Sequence, residues 1–175
     1  MKKYFLIGAP YCGKTTLGRK VAKILELPFF DTDVMIKEKN RDCISIMRFD
    51  AHFRIEQEKV IAKLAESEDS AIVATGAEVA LIPDCVELMQ NAGVIIHIKR
   101  NVDTILEELK SAPDPRLVWE EVNTGRVLDV REQTVLAYAS EIQHYEAVAD
   151  YNLDNDMGED HGIKLLSIII KSLLL

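Results

Sequence analysis

The fold of this chain is decided by the stretch Gly8-Ala9-Pro10-Tyr11-Cys12-Gly13-Lys14-Thr15. It fits the pattern G-x-x-x-x-G-K-T, in which two glycines let the backbone curl until its N–H groups face a phosphate. The apolar residues before it indicate a strand, and the residues after it have the pattern of a helix, whose N-terminus adds partial positive charge. A glycine turn before an ordinary helix is the alternative, and the strand-loop-helix context favours the phosphate-binding loop.

The polar side chains of this loop predict how it holds a nucleotide. The Lys14 ammonium can reach the terminal phosphates, the Thr15 hydroxyl can ligate Mg²⁺, and the Thr16 hydroxyl can add a hydrogen bond to a phosphate. The nucleotide-binding residues are therefore expected to be Gly8, Ala9, Pro10, Tyr11, Cys12, Gly13, Lys14, Thr15 and Thr16.

Short apolar runs alternate with helical patterns along the rest of the chain. Continuously apolar strands separated by helices indicate an α/β fold, with a parallel sheet covered by helices on both faces. Asn101 is expected to cap one of these helices. The strands are predicted at 4–7, 28–30, 71–74, 94–98 and 151–153, and the helices at 14–25, 44–65, 102–109, 130–149 and 163–174.

Two aspartates follow the second predicted strand, in Asp31-Thr32-Asp33. Carboxylates two residues apart project to the same side of an extended segment. One could hold Mg²⁺ through water, and the other could position or deprotonate a substrate hydroxyl. The alternative is an aspartate that caps a helix. Ligands of parallel sheets bind outside the carboxyl ends of the strands, where Gly8 and Gly76 are also expected.

Composition narrows the class of protein. The 175 residues fit a single domain, and 21 basic against 29 acidic residues argue against nucleic-acid binding. Cys12, Cys43 and Cys85 form no CxxC pair, which argues against a zinc site or a disulfide framework. The apolar run 163–175 contains two lysines and is shorter than the roughly 20 residues of a membrane span. We expect a cytoplasmic protein without membrane contact, and a monomer or a weak homodimer.

Further motifs give the chain a family resemblance. Phe30-Asp31-Thr32-Asp33, Phe53-Arg54, Ala74-Thr75-Gly76 and Tyr145-Glu146-Ala147-Val148-Ala149-Asp150 follow the loop in order. With these motifs the chain resembles the shikimate kinase family, whose members serve aromatic amino acid biosynthesis. The resemblance implies a P-loop kinase fold, a three-layer α/β/α sandwich with a five-stranded parallel sheet. It also implies ATP as phosphoryl donor, Mg²⁺ as cofactor and a small molecule with a hydroxyl group as acceptor.

The resemblance also implies roles for single residues. Asp33 would bind and activate the acceptor hydroxyl, Asp31 would lie near the metal, and Arg54 would pair with the acceptor carboxylate. A mobile lid at about 111–129 would close over ATP and supply a catalytic arginine. Arg126 is the first candidate for that role, and Arg116 is its rival.

The chain departs from the family pattern on the acceptor side. A run of three glycines in the family reads Gly76-Ala77-Glu78 here, Gln57 replaces a glutamate, and Glu141 stands where the family has a second substrate arginine. An unpaired like charge in a partly dry site costs on the order of a few kcal/mol. Gly76, Ala77, Glu78 and Glu141 are therefore expected to shape the acceptor site.

These departures leave three functions open. The first is an ATP-dependent kinase that phosphorylates a hydroxyl of shikimate or of a related small metabolite. The second is a nucleotide-binding or regulatory module that has lost acceptor phosphorylation. The third, less supported by the residues, is a kinase that acts on a nucleotide or a sugar through the same fold.

Overall fold

The computed structural model describes residues 2–39, 51–111 and 130–174. Its strands are β1 (Lys3–Ile7), β2 (Phe29–Asp31), β3 (Ala71–Ala74), β4 (Gly93–Lys99) and β5 (Tyr151–Asp154). They form one sheet in the order β2-β3-β1-β4-β5, and all neighbours pair in parallel. The sequence prediction of a five-stranded parallel sheet is confirmed.

Helices connect the strands in the described parts of the chain. Helix α1 (Lys14–Leu25) follows β1, and α2 (Thr32–Lys39) and α3 (Ala51–Glu66) come between β2 and β3. A 3-10 helix (Ala77–Leu81) and α4 (Pro83–Ala92) precede β4. The remaining helices are α5 (Val102–Ser111), α6 (Val130–Ala139), α7 (Ile142–Val148) and α8 (Glu159–Leu174).

The sheet carries a hydrophobic core on each face, as alternation along β1 shows. Phe5 and Ile7 point into a core that includes residues of α3 and α4, whereas Tyr4 and Leu6 point into a core with α1 and α8. All four side chains are at most 1% exposed. A strand buried on both faces favours apolar side chains on both, and this is why Tyr4–Ile7 is a continuous apolar run.

The strand order places one crevice at the centre of the sheet. Strand β1 lies between β3 and β4, so the chain leaves β1 toward one edge and leaves β3 toward the other. Such a reversal opens a crevice at the carboxyl ends of the strands. The loop that starts at Gly8 follows β1, and Thr75-Gly76 follows β3, so both segments border this crevice.

Most predicted elements are confirmed, with bounds that differ by a few residues. Helix 14–25 is found as predicted, and the Asn101 side chain caps α5 by accepting the Asp103 N–H at 2.8 Å. The continuous helix predicted over 130–149 is wrong, because it breaks at Ser140. The Ser140 hydroxyl donates to the Ala137 carbonyl at 2.9 Å, and Glu141 begins a new helix.

Other differences concern helices that the periodicity did not show. The last helix begins at Glu159, four residues before the predicted start, and α2, the 3-10 helix and α4 were not predicted. Residues 44–50 of the predicted helix lie outside the described residues. So do 112–129 of the proposed lid, with Arg116 and Arg126, and their roles stay predictions. No helix in the described ranges is long and apolar enough to cross a membrane.

Candidate active site

The loop after β1 is curled as the motif predicts. Gly8 and Gly13 have φ angles of +139° and +105°, which favour glycine. A Cβ at Gly8 would lie 2.6 Å from the carbonyl oxygen of Ile98 on β4, so the loop also passes too close to the sheet for a side chain. Tyr11 has a φ of +63° and is exposed, and it forms the outer bend of the loop.

The Lys14 ammonium lies inside this loop. Its Nζ donates to the carbonyl oxygens of Gly8 and Ala9, each at 2.8 Å, and the residue is buried. The neighbouring Cys12 is fully buried and belongs to the core under α1 and α8. The loop therefore holds a cation within reach of its own backbone, as binding of a polyphosphate requires.

Thr15 and Asp31 form a pair of oxygen ligands beside the loop. The Thr15 hydroxyl donates to Oδ2 of Asp31 at 2.7 Å. Oδ1 of Asp31 accepts the backbone N–H groups of Asp33 at 3.1 Å and Val34 at 3.2 Å, and so caps α2. Mg²⁺ prefers such hard oxygen ligands and is bound by few protein groups together with substrate phosphates. The pair fits that role, and Asp31 both caps a helix and faces Thr15.

The expected geometry of the two aspartates is wrong in one respect. Asp31 is the last residue of β2, whereas Asp33 lies in the first turn of α2, so the two do not share an extended segment. The cause is the capping by Asp31, which starts the helix at Thr32. Asp33 is consequently carried away from the Thr15 side and toward β3.

Asp33 lies against Gly76 at the end of β3. A Cβ at Gly76 would be 2.7 Å from Oδ1 of Asp33 and 2.5 Å from Nε2 of Gln57. The Thr32 hydroxyl accepts the Gly76 N–H at 3.0 Å, which ties the start of α2 to β3. The close approach of these side chains explains the glycine at this position. Its backbone conformation does not, because a φ of −59° is open to any residue.

Gln57 packs beside Gly76, a placement that the sequence did not reveal. It is fully buried, and within the described ranges neither side-chain amide atom has a hydrogen-bond partner. Arg54 is exposed on α3, three residues earlier and therefore on the same side of the helix. The Phe53-Arg54 motif could have indicated this placement, because Gln57 follows Arg54 by three positions and so lies on the same side of the helix.

Two tyrosines fix the segment after Gly76. The Tyr138 hydroxyl donates to Oε1 of Glu78 at 2.9 Å, and the Tyr145 hydroxyl donates to the Ala77 carbonyl at 3.1 Å. Burial, followed by neighbouring groups that include Tyr138, Glu141 and Glu78, raises the pKa of Tyr145. The two hydrogen bonds hold Ala77 and Glu78, two of the residues predicted to shape the acceptor site, against α6 and α7.

The remaining predicted residues, together with His97, have the following places. Glu141 begins α7 and lies 2.9 Å from Nδ1 of His144, measured from its Oε2. His97 on β4 contacts the Tyr145 ring at 5.2 Å between centroids, and its Nδ1 lies 3.0 Å from Oδ1 of Asn152. Burial lowers the pKa of His97. Pro10 is half-buried and Thr16 is exposed.

Sequence comparison finds relatives along most of the chain. The family model described as shikimate kinase matches residues 10–168. A shikimate kinase of Clostridium botulinum (strain Eklund 17B / Type B) is 36% identical over 117 residues, or 66% of this chain and 70% of that protein. The shikimate kinase of Legionella pneumophila (strain Corby) is 29% identical over 160 residues, or 89% of this chain and 86% of that protein.

Solved structures share the architecture. The shikimate kinase from Acinetobacter baumannii in complex with shikimate has a TM-score of 0.77 at 22% identity and covers 100% of this chain and 96% of its own. The shikimate kinase from Aquifex aeolicus has a TM-score of 0.72 at 22% identity and covers 98% of each chain. At this identity the likeness shows the fold, a P-loop kinase fold.

Proposed function

The chain belongs to the shikimate kinase family, and from that premise we propose that it transfers the terminal phosphoryl group of ATP to a hydroxyl of shikimate. The family relationship makes it an ATP-dependent kinase with an alcohol acceptor that uses Mg²⁺. One observation most strongly supports an acceptor site at Asp33 and Gly76. The backbone N–H of Asp33 donates to Asp31, the metal-side carboxylate, while the Asp33 side chain lies against Gly76.

The donor half of the site uses groups of the loop and of β2. ATP supplies the phosphoryl group, and Mg²⁺ neutralises charge on its phosphates. The loop N–H groups and the Lys14 ammonium would bind the phosphates, and Thr15 with Asp31 would hold the metal. The 2.7 Å hydrogen bond between Thr15 and Asp31 fixes both oxygen atoms before the nucleotide binds, which reduces the reorganisation that binding requires.

The acceptor half lies at the ends of β2 and β3. The Asp33 carboxylate accepts the proton of the attacking hydroxyl and orients it. Gly76 leaves room for that carboxylate and for the Gln57 amide at the end of β3, because no Cβ stands there. The exposed Arg54 guanidinium pairs with the acceptor carboxylate, since its planar fork suits that group.

Glu78 supports a second candidate, phosphorylation of a related small metabolite. Its carboxylate is held by Tyr138 at 2.9 Å, on the segment that follows Gly76. A fixed negative charge there disfavours an anionic acceptor and favours one with a hydroxyl or a cationic group at that position. The two candidates share the donor half and the role of Asp33, and differ only in the acceptor.

Transfer of labelled phosphate from ATP to a panel of acceptors tests the proposal. The panel contains shikimate, polyhydroxylated acids without its ring, and amino alcohols. Lys14→Ala should abolish transfer, because the loop loses its cation. Lys23→Ala, a lysine in the last turn of α1, is the matched control and should retain activity. Transfer to another acceptor but not to shikimate supports the second candidate, and no transfer at all refutes both.

A further inference from the structure

Asn155 contacts the phosphate-binding loop from the end of β5, the edge strand of the sheet. It follows β5 directly and is 7% exposed. Its side-chain Nδ2 donates to the carbonyl oxygen of Cys12 at 2.9 Å. Its backbone N–H donates to the carbonyl of Lys99 at 2.9 Å, so the end of β4 fixes the residue that reaches the loop.

Two glycines make room for the Asn155 carboxamide. A Cβ at Gly13 would lie 2.6 Å from Nδ2, and a Cβ at Gly162 in the first turn of α8 would lie 2.3 Å from Oδ1. Within the described ranges Oδ1 has no hydrogen-bond partner. The bond to Cys12 is therefore what the side chain contributes there, and the space around it fits only a flat, short group.

The bond to Cys12 determines how the next peptide N–H points. In a trans peptide the C=O and N–H groups point in opposite directions. A Cys12 carbonyl that is held toward Asn155 turns the Gly13 N–H to the opposite side of the loop. Anion binding by such a loop depends on N–H groups that converge on the ligand.

We propose that Asn155 is a positioning residue for nucleotide binding, which orients the Cys12–Gly13 peptide so that its N–H faces the phosphates of ATP. Asn155 does not touch the nucleotide itself and acts through the loop. Helix α8 contributes indirectly, because Gly162 lies next to Oδ1 of Asn155 and leaves space for the carboxamide.

The first test removes the donor and adds no bulk to the tight space. Asn155→Ala has no side-chain N–H, so the Cys12 carbonyl loses its partner. We expect the Kd for ADP with Mg²⁺, measured by titration calorimetry, to rise about tenfold, the upper range for one neutral hydrogen bond. Since no acceptor is present, this result does not depend on which acceptor the enzyme uses.

A control separates positioning from general destabilisation. Ile170→Ala removes a fully buried side chain of α8 two turns beyond Gly162 and should lower the melting temperature. We expect its Kd for ADP to stay within twofold of the wild-type value. An equal loss of ADP affinity in Ile170→Ala would overturn the proposal, because loosened packing would then account for the effect.

A second variant moves the carboxamide without changing it. Gly162→Ala places a methyl group against Oδ1 and should displace the carboxamide from the position in which it bonds to Cys12, so the Kd for ADP also rises. In assays with the acceptor that the enzyme phosphorylates, KM for ATP should rise in both variants, whereas KM for that acceptor should stay within twofold of the wild-type value. If Asn155→Ala fails to fold, Gly162→Ala decides. Wild-type ADP affinity in a folded variant would refute the proposal.

Discussion

Replacing Gly76 by alanine is expected to damage catalysis more than stability. The backbone at Gly76 has a φ of −59°, so alanine causes no backbone strain. The added Cβ would lie 2.7 Å from Oδ1 of Asp33 and 2.5 Å from Nε2 of Gln57. Both atoms are ends of side chains, and they can retreat where a backbone atom could not.

The size of that retreat sets the size of the effect. Ordinary contact begins at 3.4 Å, so the Asp33 oxygen has to move by about 0.7 Å. A misplacement of about 1 Å at a catalytic group can cost roughly a hundredfold in rate. We therefore expect kcat to fall roughly 30- to 100-fold. Overpacking that side chains relieve costs about 1 kcal/mol, which lowers the melting temperature by about 2–4 °C in a chain of this size.

Steady-state kinetics and thermal unfolding of Gly76→Ala check this prediction together. KM for ATP should stay within twofold of wild type, because the atoms nearest the added methyl group belong to Gln57 and Asp33 and not to the Thr15–Asp31 pair. The double variant Gly76→Ala/Gln57→Ala should recover melting temperature but not kcat, since the methyl group still presses on Asp33. A kcat within threefold of wild type in the single variant would refute the assignment of Asp33 and Gly76 to the acceptor site.

Three further predictions follow from the same geometry. Thr15→Val keeps the shape but loses the hydroxyl that contacts Asp31, so the Mg²⁺ concentration for half-maximal rate should rise about tenfold or more, whereas Thr15→Ser should stay close to wild type; an unchanged Mg²⁺ titration contradicts the metal assignment. Glu78→Gln keeps the partner of Tyr138 and removes the charge, so KM for shikimate should fall on the order of tenfold, and an unchanged KM places Glu78 away from the acceptor. Burial lowers the pKa of His97 below 6.5 in the folded state, so the unfolded chain binds the proton first and wild-type stability falls as the pH drops below about 6.5. The melting temperature of wild type relative to that of His97→Gln should therefore fall from pH 8 to pH 5.5. A difference that stays constant with pH contradicts this.

The strands and the phosphate-binding loop could be predicted because their signals are local. Residues 4–7 of β1 are continuously apolar since both faces of the strand are buried, and the loop needs glycines at fixed spacing for its positive φ angles. The start of α2 was missed because the capping bond from Asp31 spans only three residues and leaves no periodic pattern. Short elements fixed by one polar contact carry little sequence signal.

The supports of the site could not be predicted, because their partners are distant in sequence. Asn155 and Cys12 are 143 positions apart, and Tyr138 and Glu78 are 60 apart. In neither pair does the sequence around one residue indicate which distant residue it contacts. The residues proposed to bind ligands follow motifs, whereas the residues that hold them in place depend on the assembled sheet and helices.

Asp33→Asn tests the central claim most directly, through ADP affinity and phosphoryl transfer from ATP to shikimate measured on the same preparation. The substitution keeps the size of the side chain and removes its ability to accept the hydroxyl proton. We predict a Kd for ADP within twofold of wild type and a transfer rate lower by about 10³-fold, with Asp160→Asn, an exposed aspartate of α8, unchanged in both. Transfer at the wild-type rate by Asp33→Asn would contradict the account.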